Sequence, residues 1–399
     1  MKVLLVHNYY QQPGGEDKVV AQELEMLRTN GVVANLYSVH NNKIKNESSF
    51  KKVLTGIETI WSPSEYSNIK KVIMDLKPDV VHVHNFFPLI SPSIYYLCKQ
   101  MGIPVVQTLH NYRLLCPGAT FLREGKVCEE CLQGSVFNSI KYGCYRKSRT
   151  QTISVASMIQ FNKMLGTWSQ KVNKYIALTE FAKNKFVEGG LPGHLISVKP
   201  NFIKPVNSDL LNPYPGTTYL LYVGRISAEK GVENLLKAWK LFDLRGSLQL
   251  VIVGEGPDKE YLEKKYASDN VIFAGSQGRD SVLQHMAHAK YLIVPSVWYE
   301  GFPMTIVESY SVGTPVICSK IGSLAEIVKE EKTGFQFIHD DLQSLIGTLK
   351  KALSYEKYEE LRVNVSKVFN TRYTEKVNFE AIMNIYHEAL QENRYAKAR

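Results

Sequence analysis

Three short stretches of the chain set charged side chains among glycines and prolines, the setting in which a turn can hold an anion. In Val223-Gly224-Arg225-Ile226-Ser227-Ala228-Glu229-Lys230-Gly231, two cations stand five positions apart across a strand-to-helix turn. Arginine offers phosphate a planar bidentate fork and lysine a compact charge, so Arg225 and Lys230 could together neutralise a diphosphate. Two surface cations beside Glu229 are the plainer reading of the same residues. In Glu300-Gly301-Phe302-Pro303-Met304-Thr305-Ile306-Val307-Glu308, two carboxylates stand eight positions apart, one before a turn and one inside a helix. The amides of Gly301, Phe302, Met304 and Thr305 would meet an anion at the helix N-terminus, whereas Pro303 has no N–H to offer. Carboxylates beside an anion site suit ligand hydroxyls, from which they accept hydrogen bonds; a sugar ring and a ribose both supply them. The plainer alternative is a helix start whose acids complement its dipole. Gln12-Pro13-Gly14-Gly15-Glu16 adds a paired-glycine turn before a helix, where backbone N–H groups can approach a phosphate. Taken alone, such a turn more often serves geometry.

Four of the six cysteines fall close together, Cys116, Cys128, Cys131 and Cys144, spaced C-x11-C-x2-C-x12-C. In a reducing compartment thiols are the expected state. The central C-x2-C with one cysteine on each side could complete a tetrahedral site, so a structural zinc ion is expected there, with unligated thiols as the alternative. Cys98 and Cys318 lie in apolar runs and read as core residues.

These residues need a scaffold that brings strand ends together. Continuous apolar runs at Val3–Val6, Ala34–Val39, Val80–His84, Val105–Leu109, Lys174–Thr179 and Ile196–Lys199 read as strands. Helical spacing lies between them, at Val19–Arg28, Ile94–Gln100 and Glu180–Glu188. Runs without polar alternation imply strands covered on both faces, hence a parallel sheet. A polar stretch with three prolines, 204–216, reads as a linker, after which the pattern restarts. Strands are expected at Tyr219–Val223, Leu248–Val253, Val271–Ala274, Tyr291–Val294 and Pro315–Cys318. Helices are expected at Val232–Phe242, Asp258–Ala267, Asp280–His288 and Thr305–Ser311, with a last one at Glu375–Gln391. The expected fold is α/β: two Rossmann-like, doubly wound parallel-sheet domains facing across a cleft, where ligands of such folds gather. The domains would be 1–205, with a cysteine-rich insertion at 112–148, and 206–374; the helix 375–399 would pack back on the first.

The chain has 399 residues, enough for two cores, and its 44% hydrophobic and 22% charged content excludes a disordered or fibrous protein. No apolar run approaches the roughly 20 residues of a spanning helix, and the start is too short for a signal peptide; a cytoplasmic location is expected. A formal net charge of +10 asks for a negatively charged partner. No carboxylate occurs between Glu130 and Glu180, a stretch that holds Lys141, Arg146, Lys147, Arg149, Lys163, Lys171 and Lys174 among apolar and aromatic residues. That composition suits the surface of an anionic membrane, and equally a solvated helix with one core face.

Gly224-Arg225…Glu229-Lys230-Gly231 with Glu300…Glu308 resembles the C-terminal half of glycosyltransferase family 4, whose members are retaining enzymes of the GT-B fold. The likeness continues through Gly254-Glu255-Gly256-Pro257, Gly313-Thr314-Pro315-Val316, Gly322 and Thr333-Gly334-Phe335. In the first half it rests on Gly14-Gly15, His82-Val83-His84, His110 and Pro200-Asn201. The resemblance implies transfer of a sugar from a nucleotide diphosphate sugar. Arg225 and Lys230 would bind the diphosphate, Glu308 the ribose, and Glu300 the transferred sugar beside the amides of 301–305. Gly15 would approach the phosphates, His110 would contact the donor sugar, and Gln277 would lie near the base. Without a dedicated nucleophile, the leaving phosphate would take the acceptor proton, with Glu300 a positioning group. No Asp-x-Asp motif occurs, so no catalytic metal is expected. The acceptor is expected to be a glycan, lipid-linked as in surface polysaccharide assembly. A sugar-nucleotide epimerase of the same architecture is the enzymatic rival, and a non-catalytic basic protein the other. Nucleic acid is not an expected partner, since no helix-turn-helix, finger or RNP-like motif occurs.

Overall fold

A computed structural model describes residues 1–398 except 12–13, 46–48, 205, 207–217 and 243–247. The chain divides into two compact units: Met1–Phe121, Cys128–Pro200 and Asn378–Arg399 form the first, and Leu122–Val127 with Asn201–Val377 the second. Six residues of the cysteine-rich insertion, the hairpin β5 (Leu122–Arg123) and β6 (Lys126–Val127), thus belong to the second unit and not the first. The expected linker lies almost wholly outside the described residues.

The first unit is built on β1 (Lys2–Tyr9), β2 (Val33–His40), β3 (Val80–Asn85), β4 (Val105–Leu109), β7 (Lys174–Ala177) and β8 (Ile196–Val198). They pair in the order β2-β1-β3-β4-β7-β8, all parallel. The second sheet, also all parallel, runs β11-β10-β9-β12-β13-β14. Its strands are β9 (Tyr219–Val223), β10 (Gln249–Val253), β11 (Val271–Gly275), β12 (Tyr291–Val294), β13 (Val316–Ser319) and β14 (Gly334–Phe337). Alternate residues go to opposite faces of a strand. Accordingly Leu221, Val251, Leu292 and Val316 enter one buried cluster, and Leu220, Leu250, Ile293 and Ile317 the other. Each such side chain contributes about 1.5–3 kcal/mol by leaving water. A sheet buried on both faces explains why these strands show no polar alternation.

The helix Gly15–Thr29 starts four residues before the expected Val19. Gly14 is its N-cap, and the Gly14 amide donates to Asp17 Oδ2 at 2.9 Å. Helices Pro63–Leu76, Leu342–Leu353 and Tyr358–Arg372 were not expected from the sequence pattern. Arg149–Met164, by contrast, is the helix with one core face that the basic stretch offered as one of its two readings, burying Val155, Met158 and Ile159. The last helix, Glu375–Ala398, belongs to the first unit from Asn378 onward. Tyr386 bonds His82 at 2.8 Å, Asn393 Nδ2 donates to Gly102 O at 2.8 Å, and Lys174 pairs with Glu388 and Glu392 at 3.2 and 2.8 Å. Cys98 and Cys318 are fully buried core residues.

Candidate active site

In an open parallel α/β sheet, ligands gather outside the carboxyl ends of the strands, where the winding reverses. In the second unit that point lies between β9 and β12. The turn after β9 carries Gly224, Arg225 and Lys230, and the loop after β12 carries Glu300. A backbone bond from Val297 N to Glu229 O at 3.0 Å ties the two segments together. Gly231 permits it: its φ is +68°, and a Cβ there would stand 2.0 Å from the Pro295 carbonyl oxygen. The β10 loop is held equally close, since a Cβ on Gly254 would lie 1.8 Å from the Gly224 carbonyl oxygen.

This framework brings Lys230 Nζ to 2.6 Å from Glu300 Oε1, which also accepts from Ser296 Oγ at 2.7 Å. Glu300 is 6% exposed. Burial pushes its carboxyl up, but the Lys230 ammonium and the Ser296 hydroxyl outweigh it and hold the carboxyl below its ordinary value. Glu300 is therefore ionised and can only accept hydrogen bonds. Lys230 lies 5.4 Å from the centre of the Trp298 ring, which limits where its ammonium can swing.

The other residues of this half are distributed along the same strand ends. Arg225 is exposed. Glu308 is half-buried on the helix Met304–Ser311. That helix has no side-chain cap and no acid in its first turn, so nothing within it neutralises its positive end near Met304 and Thr305. Gly301 is half-buried, and Phe302 turns its ring toward the core, edge-on to Tyr373 at 6.2 Å. Gln277 is exposed in the loop after β11, its amide donating to Ala274 O at 2.8 Å.

In the first unit the winding reverses between β1 and β3. Gly14 and Gly15 follow β1, and His110 follows β4. The Gly14 amide is already engaged by Asp17. A Cβ built on Gly14 or Gly15 would meet nothing within 4 Å, and Gly14 has an ordinary φ of −117°. Packing therefore does not demand glycine at either place. Next to them Glu16 is enclosed: Tyr10 donates to it at 3.3 Å, and burial together with Asp17 pushes its carboxyl up to about 8. His110 is half-buried, and its Nε2 lies 3.0 Å from His84 Nδ1.

None of the four clustered cysteines forms a disulfide; Cys116 is buried and the other three are half-buried. Burial first, then Cys116, Cys144 and Cys128, push the Cys131 thiol up to about 12, which sets Cys131 near the other three sulfurs. No three of them come within 4.8 Å; among the described residues Glu23, His82 and His84 meet that spacing. Sequence reasoning missed Glu23 and Lys199, whose side chains pair at 3.2 Å while only 2% exposed. One signal for Glu23 was available: with Val19, Val20, Met26 and Leu27 it lies on the buried face of its helix.

Two family models cover most of the chain in succession. "Glycosyltransferase Family 4" matches residues 14–206 and "Glycosyl transferases group 1" residues 206–368. A lipopolysaccharide 1,2-N-acetylglucosaminetransferase of Salmonella typhimurium is 31% identical over 223 residues, 50% of this chain and 58% of that protein. An uncharacterized glycosyltransferase of Methanocaldococcus jannaschii is 24% identical across 79% of this chain and 76% of its own length. Among solved structures, Anabaena HepE in complex with UDP superposes with a TM-score of 0.68 at 16% identity, covering 96% of this chain and 99% of that one. The lipopolysaccharide outer core galactosyltransferase WaaB covers all of both chains with a TM-score of 0.63 at 17% identity. With two reversing parallel sheets and both halves of the family matched in order, the chain is a glycosyltransferase of family 4 with the GT-B fold.

Proposed function

We propose that this glycosyltransferase moves a hexose-type sugar from a nucleotide diphosphate sugar to a glycan acceptor, with retention of the anomeric configuration and without a catalytic metal. The observation that carries the reading is the Lys230–Glu300 contact at the β9/β12 switch point. Lys230 and Arg225 neutralise charge as it grows on the leaving diphosphate. Glu300, ionised and acceptor-only, orients sugar hydroxyls, and Glu308 accepts from the ribose. His110 contacts the donor sugar, Gly15 lets the phosphates approach the chain, and Gln277 lies by the base. The leaving phosphate takes the acceptor proton, so Glu300 forms no covalent bond. UDP is the first nucleotide to test, because HepE is solved with UDP and with UDP-glucose. UDP-glucose, UDP-galactose and UDP-N-acetylglucosamine, each incubated with the enzyme in water, give hydrolysis products whose first-formed anomer NMR can read. Retention of the donor configuration supports the mechanism, and inversion removes it.

The acceptor we propose is a lipid-linked glycan of surface polysaccharide assembly. The names of the Salmonella relative and of WaaB support this, as does the basic segment. Ile153, Phe161, Met164 and Leu165 are exposed in or just after the helix Arg149–Met164, Met164 to 75%, among the lysines and arginines counted above. Exposed apolar side chains with cations suit an anionic lipid surface. No described helix is long and apolar enough to cross a membrane. Flotation with vesicles containing phosphatidylglycerol should carry the protein at low salt and release it at high salt; no binding removes this part of the reading. We keep Cys116, Cys128, Cys131 and Cys144 as the proposed ligands of a structural zinc ion. Binding must draw the thiols inward, because sulfurs around a tetrahedral zinc stand only about 3.8 Å apart. About one zinc per chain in untagged protein is the expected content, and none ends the proposal.

A further inference from the structure

Inside the first unit, a buried chain of polar groups leads to His110. Glu23 lies on the helix Gly15–Thr29, 1% exposed. Its Oε1 stands 3.1 Å from both His82 Nδ1 and His84 Nε2, and its Oε2 stands 3.2 Å from Lys199 Nζ. Lys199 also donates to Asn378 Oδ1 at 2.9 Å. His84 continues the chain through Nδ1, 3.0 Å from His110 Nε2, with the two rings stacked at 5.3 Å. His82 and His84 reach the same carboxylate because alternate residues of β3 share a face. A shift in the β1–β3 register falls beside His84, a device that re-aims side chains.

The charges fix where the protons are. Burial pushes the Glu23 carboxyl up, but the Lys199 ammonium outweighs it, and Glu23 is ionised. Burial drives His84 down to about 3 and His110 well below its ordinary value, so both rings are neutral and each carries one N–H. Beside an ionised oxygen, His84 keeps its proton on Nε2, although that contact is too bent for a full hydrogen bond. His84 Nδ1 is then a lone pair, and His110 Nε2 must donate to it. One ring nitrogen's bond thus sets the tautomer presented by the other. His7 on β1, with its ring 6.5 Å from that of His84, is bonded to Asp17 at 2.8 Å and stays outside the chain. Although Glu23, His82 and His84 are spaced closely enough to ligate a cation, Lys199 already balances the carboxylate. His82 is committed to Tyr386 and Thr108, both at 2.8 Å.

We propose that Glu23 and His84 are positioning residues that hold His110 in its Nε2–H tautomer, so that bare Nδ1 is offered as an acceptor to a hydroxyl of the transferred sugar. The inference rests on the proposed role of His110 as a donor-sugar contact. It names a demand on the donor: a hydroxyl able to donate to that nitrogen.

Long-range ¹H–¹⁵N spectra of the full chain labelled with ¹⁵N-histidine, with His110 assigned from H110N, read the tautomer without any ligand. The wild type should show His110 protonated at Nε2 alone. Replacing both partners of the buried pair, Glu23→Met with Lys199→Met, leaves no lone charge inside. It should let His110 populate both tautomers and lower donor hydrolysis about two- to tenfold, the loss expected when part of the population cannot form one neutral hydrogen bond. Glu23→Gln with Lys199→Met restores an acceptor oxygen and should recover the single tautomer. Y386F cuts a bond of the same cluster off the path and should leave the tautomer unchanged. His110 protonated at Nδ1 in the wild type overturns the proposal whether or not the variants fold. A tautomer unmoved in the Met–Met variant overturns it as well. The donor-contact reading fails separately: H110A would then hydrolyse the UDP-sugars at the wild-type rate, whatever the tautomer.

Discussion

Gly15 and Glu16 are neighbours whose environments each make a prediction for stability, and Gly15 one for activity as well. Gly15 is the first residue of its helix, and nothing lies within 4 Å of where its Cβ would be. Gly15→Ala should therefore keep or slightly raise the melting temperature, since alanine loses less conformational freedom on folding. It should nevertheless lower donor turnover about tenfold by crowding the phosphates. Unchanged turnover would mean that this glycine serves only the turn. Glu16 titrates at about 8 in the folded chain, against an ordinary carboxylate value when unfolded. Between those values the native state holds more protons than the unfolded one, so stability falls as pH rises through that window and levels off above it. Glu16→Gln should flatten this slope and gain up to about 4 kcal/mol at pH 8; equal urea midpoints for the two proteins at pH 5 and pH 8 would refute the assignment. At this scale the sequence was only partly legible. Arg225, Lys230, Glu300 and Glu308 stand out because charge beside glycine in a turn has a chemical reading. Glu23 and Lys199 do not, because they are 176 positions apart and only the fold makes them partners.

Loops at strand ends, rather than the strands themselves, decide whether the charges meet. Gly231 combines a φ of +68° with a Cβ position 2.0 Å from a carbonyl oxygen that belongs to the loop after β12. Gly231→Ala should cost about 2–4 kcal/mol and should also slow transfer, because the same turn carries Lys230. A variant as stable as the wild type in urea denaturation would contradict the close approach described here. Elements were legible where one rule governed them. The strands of both sheets announce themselves as unbroken apolar runs, and β4 and β12 begin and end where the pattern does. Helices Leu342–Leu353 and Tyr358–Arg372 went unread although Leu345, Ile346 and Leu349 keep helical spacing in the first of them. The early start of the helix Gly15–Thr29 depends on Asp17 capping Gly14, a local bond that hydrophobic periodicity cannot report.

Across the whole chain, two sheets of the same design each place their reversal point beside residues that could take part in one transfer. Fold and family were legible because motif order, spacing and alternating elements all agreed. Assignment of 122–127 to the second unit was not, since the hairpin is continuous in sequence with segments of the first. Donor activation is expected to depend on fixed side chains and not on a bound cation. Its most direct test is the release of UDP from UDP-glucose, UDP-galactose and UDP-N-acetylglucosamine in EDTA, for the wild type and for Lys230→Ala. At least one donor should be turned over by the wild type at an undiminished rate in EDTA, and Lys230→Ala should lose about 100-fold or more, equivalent to roughly 3 kcal/mol of transition-state stabilisation. A Lys230→Ala protein as fast as the wild type, or activity that vanishes in EDTA and returns with Mg²⁺ or Mn²⁺, would contradict it.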